Sequence, residues 1–353
     1  MQHFGRGRSI LKHWILPLIL IVMFVITTGC SSEQASRSVT NLPAPPSISP
    51  AVPSPAAPLA PPARSPVPQI DVDRLFQHVQ ALSFERHGAA DRAQAQEYLT
   101  EQLTAFGWNP RSEPFDGGVN LVAERPGTDA RAAAILVTAH YDTVRDSPGA
   151  DDNASAVAAA LELARLLGPR STLRPLRLIF FDREEAGLLG SFAYTAKPEN
   201  LSNVQGVVNL EMMGYACYTP GCQKYPTGLP ITPPTDRGDF LGVIVDLEHQ
   251  SLLTAFQNSG DSTLPPIIGL PVPLKGLLTP DLLRSDHAPF WAKNIGAVMV
   301  ADTANFRNPH YHQPSDTPDT LDRAFLTGSA QLLLNAVSTL LDSREPVNAM
   351  SVE

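Results

Sequence analysis

The sequence predicts an α/β fold: a single domain with a mixed, mostly parallel twisted sheet flanked by helices. Three observations lead there. Short apolar runs of strand length alternate with longer stretches that repeat apolar residues at helical spacing. No internal repeat breaks that alternation, and the chain from about residue 70 onward is long enough for one large domain of this class. Finally, residues able to bind metal or move protons follow directly after several of the apolar runs, at the carboxyl ends of strands where open α/β sheets hold their ligands.

The elements follow in order. Residues 72–82 and 92–106 read as helices, with Gly107 as a stop for the second. Strands are expected at 119–123, 133–139, 176–181, 204–210, 240–245 and 297–301. Between and after them, helical spacing runs over 153–167, 188–196, 250–259, 286–293 and 319–341.

The first thirty residues are of another kind. Arg6, Arg8 and Lys12 form a basic start, and the apolar run 15–26 closes on Thr27-Thr28-Gly29-Cys30. That is a signal-peptide layout, and the run is short for a membrane crossing, which needs about 20 residues. Small residues before a cysteine resemble a bacterial lipoprotein processing site with Cys30 as the lipid attachment point. Thr27 stands where such sites usually carry Leu, which keeps an uncleaved anchor as the alternative. Both place the rest of the chain outside the cytoplasm, anchored to the bacterial cell envelope or secreted, with membrane contact through the N-terminal anchor only. Residues 31–69 are a Pro/Ala/Ser-rich linker with too little apolar surface to offset the entropy of ordering. The catalytic domain is assigned to 70–345 and a C-terminal tail to 346–353.

A net charge of -9 and a pI near 5.5 lack the basic footprint of a nucleic-acid binder, so no nucleic-acid partner is expected. Of the three cysteines, Cys217 and Cys222 remain once Cys30 is assigned. In an oxidising compartment they read as a disulfide closing a small loop, with metal binding as the weaker alternative.

The polar residues after the runs form a coherent set. His140 and Asp142 follow the second strand, Asp182, Glu184 and Glu185 the third, and Glu211 the fourth. Asp151 and Asp152 precede one helix, and His310, His312 and Asp316 precede the last. Carboxylates converging on one spot repel unless a cation intervenes. Imidazole and carboxylate ligands without a suitably placed cysteine suit zinc, with Mn2+ or Co2+ as substitutes, and carboxylates can bridge two ions.

These residues fall into blocks: His140-Tyr141-Asp142, Gly149-Ala150-Asp151-Asp152-Asn153-Ala154-Ser155, Glu184-Glu185-Ala186-Gly187-Leu188-Leu189-Gly190-Ser191, Ser285-Asp286-His287 and Tyr311-His312-Gln313-Pro314-Ser315-Asp316-Thr317. In content and order they resemble the co-catalytic di-zinc aminopeptidases, family twenty-eight of the metallopeptidases. The resemblance implies a zinc-exopeptidase-like fold and two Zn2+ per chain held by His140, Asp151, Glu185, Glu211 and His312, with Asp151 as the bridge. It implies His312 and Glu185 on one ion, His140 and Glu211 on the other. Asp142 would orient His140 through its second ring nitrogen, and Glu184 would be the general base. Peptides with free N-termini are the implied substrates.

Some positions depart from the pattern. Glu211 stands where Asp is common. Asp152 and Asp316 are expected as hydrogen-bonding supports rather than ligands. Where some relatives carry a tyrosine three residues before Ser-Asp-His to steady the oxyanion, this chain has Leu282, and Tyr311 or His287 is the candidate replacement. His287, Tyr311 and His310 are candidate substrate contacts. The stretch 216–237, rich in Pro and Gly, is expected as a rim loop over the site. Competing readings are glutaminyl cyclisation, which relatives perform with one zinc, carboxypeptidase action, and an inactive peptide-binding ectodomain.

Overall fold

The computed structural model describes residues 67–229 and 231–345. The expected signal segment with Cys30, nearly all of the expected linker and the expected C-terminal tail lie outside the described residues. Eight strands form one sheet: β1 (Arg111–Phe115), β2 (Gly118–Arg125), β3 (Ala134–His140), β4 (Leu176–Phe181), β5 (Val204–Glu211), β6 (Leu241–Asp246), β7 (Ile267–Val272) and β8 (Ala297–Ala301). Their spatial order is β1-β2-β4-β3-β5-β8-β6-β7. The inner strands β4, β3, β5 and β8 run parallel. β2 joins β4 antiparallel and β6 joins β8 antiparallel, so the sheet is mixed with a parallel centre.

The helices are α1 (Val72–Leu82), α2 (Ala89–Ala105), α3 (Ala156–Leu167), α4 (Leu189–Thr195), α5 (Pro198–Leu201), α6 (Ser251–Gln257), α7 (Ala288–Ala292) and α8 (Arg323–Asp342). Alternate residues of each strand feed two cores, as the period of two requires. Leu176, Leu178 and Phe180 of β4 join the core beneath α1, α2, α3, α6 and α8. Ile179 and Phe181 point to the other face and pack with Tyr194 of α4 and Phe290 and Trp291 of α7. Helix α8 is long and apolar enough to cross a membrane, yet most of it is buried inside the domain.

Predicted and observed elements agree in kind. Two strands went unread, for physical reasons. β1 (sequence Arg-Ser-Glu-Pro-Phe) is an exposed edge strand without apolar alternation, the position where a proline is tolerated. β7 holds Gly269 and Pro271, which weaken any strand signal, and lies at the opposite edge. The helix expected from residue 153 begins at Ala156. Ahead of it, Asp152 and Asn153 take non-helical backbone angles within an irregular turn. Asn153 spends its side chain elsewhere: Nδ2 donates to the Leu210 carbonyl and Oδ1 accepts from the Met212 amide. Helix α2 starts at Ala89, ahead of the expected Arg92, because its first turn is small and polar and carries no apolar repeat.

Candidate metal centre

Because β4, β3, β5 and β8 are parallel, their carboxyl ends share one edge of the sheet, and the site assembles there. His140 ends β3 and Glu211 ends β5, while Glu184 and Glu185 follow β4. His312 arrives from the segment before α8, held at φ 59°, a left-handed conformation uncommon for a non-glycine residue. Arg183 (φ 62°) and Met212 (φ 45°) beside the two glutamate positions are left-handed too, a concentration of strain typical of functional sites.

The centre of the cluster is Asp152. Its Oδ1 lies 3.3 Å from His140 Nε2 and its Oδ2 lies 3.2 Å from His312 Nε2. Glu211 Oε1 is 3.4 Å from His140 Nε2, and Glu185 Oε2 is 3.1 Å from His312 Nε2. Both Asp152 oxygens, Glu185 Oε1 and His312 Nε2 are buried without a hydrogen-bond partner. Unsatisfied buried polar atoms are costly and call for an explanation. A divalent ion supplies one, since two ligand atoms each about 2.0–2.2 Å from a tetrahedral zinc stand roughly 3.3–3.5 Å apart. The four separations of 3.1–3.4 Å lie at or slightly below that spacing. The donor set therefore fits divalent metal such as zinc.

Asp151, expected as the bridge, is elsewhere. Its Oδ1 accepts from the Gly214 amide and its Oδ2 from Asn308 Nδ2, and its side chain also meets that of Asp302. Burial pushes its carboxyl well above the usual range. Asp152, not the expected Asp151, faces both histidines. Two adjacent aspartates before a helix are equivalent in sequence; only the backbone path through the irregular turn separates them. Asp316 fixes that path, accepting from the amides of both Asp151 and Asp152, the supporting role expected of it.

The remaining expected residues sort by contact. Asp142 Oδ1 is 3.4 Å from His140 Nδ1, and the Asp142 carboxylate accepts from the amides of Glu184 and Glu185. One carboxylate thus joins a histidine to the glutamate turn. Glu184 is buried within 4.8 Å of ligand atoms of His140 and Glu211. Burial raises its proton affinity well above that of an ordinary glutamate, and the charges of Glu211, Asp286 and Glu185 raise it further. Glu185 is pushed up to about 7 by burial and by Asp152. For His312 burial works the other way but is outweighed by Asp152 and Glu185, which hold it up at about 9. A cation among these groups would offset the mutual repulsion of the carboxylates.

Glu211 is steadied by a buried relay: Thr138 Oγ1 donates to Asn209 Oδ1, Asn209 Nδ2 to Ser285 Oγ, and Ser285 Oγ to Glu211 Oε2 at 2.6 Å. Sequence inspection missed Arg86, which is buried and donates to the carbonyls of Tyr141, Leu82, Phe84, Pro148 and Gly149. It clamps the loop that leads to Asp152 and places a cation within electrostatic reach of Asp152, Asp142, Asp316 and Glu185. An arginine between two predicted helices gives no such signal in sequence. His287 does not reach the site: it is fully buried, its Nε2 donates to the Leu282 carbonyl, and it packs on Trp291. His310 contacts Ser315 and Tyr215 rather than the cluster. Tyr311 stacks on His312 with ring centroids 3.7 Å apart.

Beside Glu211 opens an apolar cavity lined in part by β8, β6 and β7. Phe240, Ile244, Ile268, Leu270, Leu282 and Met299 line it. Its outer wall is the expected rim loop, contributing Tyr225 and Leu229 among others. Cys217 and Cys222 are joined in a disulfide at the base of this loop, and Cys217 pairs with Gly238 in an isolated bridge. Arg307 fastens it, donating to Gln223, Gly238 and Phe240.

Fold and donor set together define an α/β protein of the metallopeptidase class. The chain matches the model of peptidase family M28 over residues 120–263 and 272–337, more than half its length, and it belongs to that family. The uncharacterized protein YfbL of Escherichia coli K12 is 32% identical over 269 residues, covering 70% of this chain and 79% of that one. Aminopeptidase YwaD of Bacillus subtilis 168 is 29% identical over 253 residues, 69% of this chain and 47% of its own. The chain thus spans about half the length of that named relative. The solved aminopeptidase from Aneurinibacillus sp. strain AM-1 superposes with a TM-score of 0.61 over 79% of this chain and 96% of its own, at 18% identity. In fold and family the chain stands with the metallo-aminopeptidases.

Proposed function

We propose that the protein is a two-zinc aminopeptidase that releases apolar N-terminal residues from peptides. The observation that carries this is Asp152 between His140 and His312, each paired with its own glutamate, with the buried Glu184 left over beside them. Asp152, His140 and Glu211 would hold one ion, and Asp152, His312 and Glu185 the other. Zinc bound there supplies a Lewis acid for the peptide carbonyl and makes water acidic enough to be deprotonated near neutrality.

The protein's own groups account for the other steps. Glu184 accepts the proton of the attacking water and returns it to the leaving amine, the work of a positioned carboxylate. Tyr311, on the rim of the cavity next to His312, offers its hydroxyl to the carbonyl oxygen in place of the missing tyrosine at 282. The carboxylate-rich surroundings favour a cationic terminal amine over a terminal carboxylate. The two cations lining the cavity are turned to protein acceptors: Lys224 to the Gly221 carbonyl, Arg284 to Tyr311 and Asn305. That asymmetry supports amino- over carboxypeptidase action, and two complete ligand groups support hydrolysis over one-zinc cyclisation. The apolar cavity beside Glu211 suits a large aliphatic or aromatic first side chain. The Cys217–Cys222 bridge supports an oxidising location outside the cytoplasm.

The test pairs metal analysis with turnover of leucine p-nitroanilide and its N-acetyl derivative. About two zinc per chain and cleavage of the free substrate alone are expected. Glu184→Gln should retain the metal while losing about 10²-fold to 10⁴-fold in kcat. Equal cleavage of both substrates, or turnover that survives chelation, would overturn the proposal.

A further inference from the structure

Arg284 sits at the mouth of the apolar cavity on the residue before Ser285, and Ser285 Oγ secures Glu211. Its guanidinium is oriented on two sides: Nη2 donates to Tyr311 Oη at 3.0 Å, and Nη1 donates to Asn305 Oδ1 at 3.1 Å and faces Asp281 at 3.8 Å. The same guanidinium lies 5.9 Å from the Tyr311 ring centroid, and that ring also stacks on His312.

A phenol hydroxyl rotates about its C–O bond and serves as donor or acceptor. Arginine has donors only, so at 3.0 Å it fixes Tyr311 Oη as an acceptor on that side and turns the hydroxyl proton away from it. We infer that Arg284 is a positioning residue that aims the Tyr311 hydroxyl proton at the substrate carbonyl oxygen; this rests on the aminopeptidase reading. The device compensates for Leu282. One backbone run, Arg284-Ser285, thereby sets both a metal-side carboxylate and the hydrogen-bond donor opposite it. Preorganised donors of this kind act on charge that develops in the transition state, so their loss appears in kcat rather than in substrate binding.

The experiment is a double-mutant cycle with Arg284→Met and Tyr311→Phe, using full-length protein with zinc content and thermal midpoint matched to wild type. Arg284→Met should lower kcat about 10-fold to 100-fold with KM nearly unchanged, and Arg284→Lys should recover part of it. On the Tyr311→Phe background the Arg284→Met substitution should cost almost nothing more. Binding of the phosphonic acid analogue of leucine, measured by calorimetry, should weaken in the same non-additive way, while L-leucine binding stays constant. Full additivity, or an effect confined to KM, would overturn the inference. Absence of zinc-dependent turnover in the wild type would instead defeat the parent reading.

Discussion

At the scale of single residues, the decisive pair is Asp151 and Asp152. Both are buried and both belong to the same motif, but only Asp152 faces the histidines. Asp152→Asn is therefore expected to lower bound zinc from about two per chain toward none, measured by elemental analysis after dialysis, because it weakens both ligand groups together. Asp151→Asn should keep its zinc and lose stability instead, since it disturbs the contacts to Gly214, Asn308 and Asp302. The reverse pattern would restore the assignment made from the motif. His140, Glu184, Glu185, Glu211 and His312 were legible in sequence because each follows or precedes a clear apolar element. Which of the two aspartates faces the histidines was not, because neighbours on one turn differ only in backbone direction. Arg86 was invisible because its partners are carbonyls, which every residue carries.

At the scale of elements, the helical layer over the sheet hides a titratable contact. His78 of α1 is buried, with Nδ1 2.7 Å from Tyr98 Oη of α2 and Nε2 3.9 Å from Glu162 of α3. Arg74 and Arg165 also face it. Burial is the main cause holding its pKa down, at about 4, against the pull of Glu162. A histidine depressed from 6.5 in the unfolded chain contributes its full stability above pH 6.5 and loses it as the pH falls toward 4, because the unfolded state takes up the proton first. The loss amounts to about 3 kcal/mol at most. Thermal denaturation of His78→Gln should accordingly show a shallower decline than wild type between pH 6.5 and 4.5, and parallel curves would refute the assignment. Strands and helices with strong periodicity were read well, whereas β1 and β7 were not. Edge strands with proline and little burial lack the alternation on which such reading depends.

At the scale of the whole molecule, among the described residues both cores are built from elements that run from α1 to α8. The start of this region is tied down: the Ile70 amide donates to Gln331 Oε1, and Gln331 Nε2 donates to the Pro68 carbonyl. A soluble fragment beginning at Val67 should therefore fold and show the same kcat/KM as the full chain. One beginning at Ser83 lacks α1, hence Leu75, Phe76 and Val79 of the core, and should show no cooperative thermal transition. A fragment from Val67 that fails to fold would mean that the preceding residues belong to the domain after all. The α/β architecture was legible because it rests on the count and rhythm of elements. The reversal of β6 against β8 was not, since strand direction is set by connections whose lengths permit either sense.

That reversal separates two kinds of evolutionary freedom. The parallel strands β4, β3 and β5 end in the groups proposed for chemistry, each locked by buried partners. The cavity instead borrows sheet surface from β8, β6 and β7 and a wall without helix or strand, held by contacts that include one disulfide and Arg307. Substitutions or length changes in that wall can alter which side chain is admitted without moving a single proposed ligand, so the diet of such an enzyme can drift while its reaction stays put.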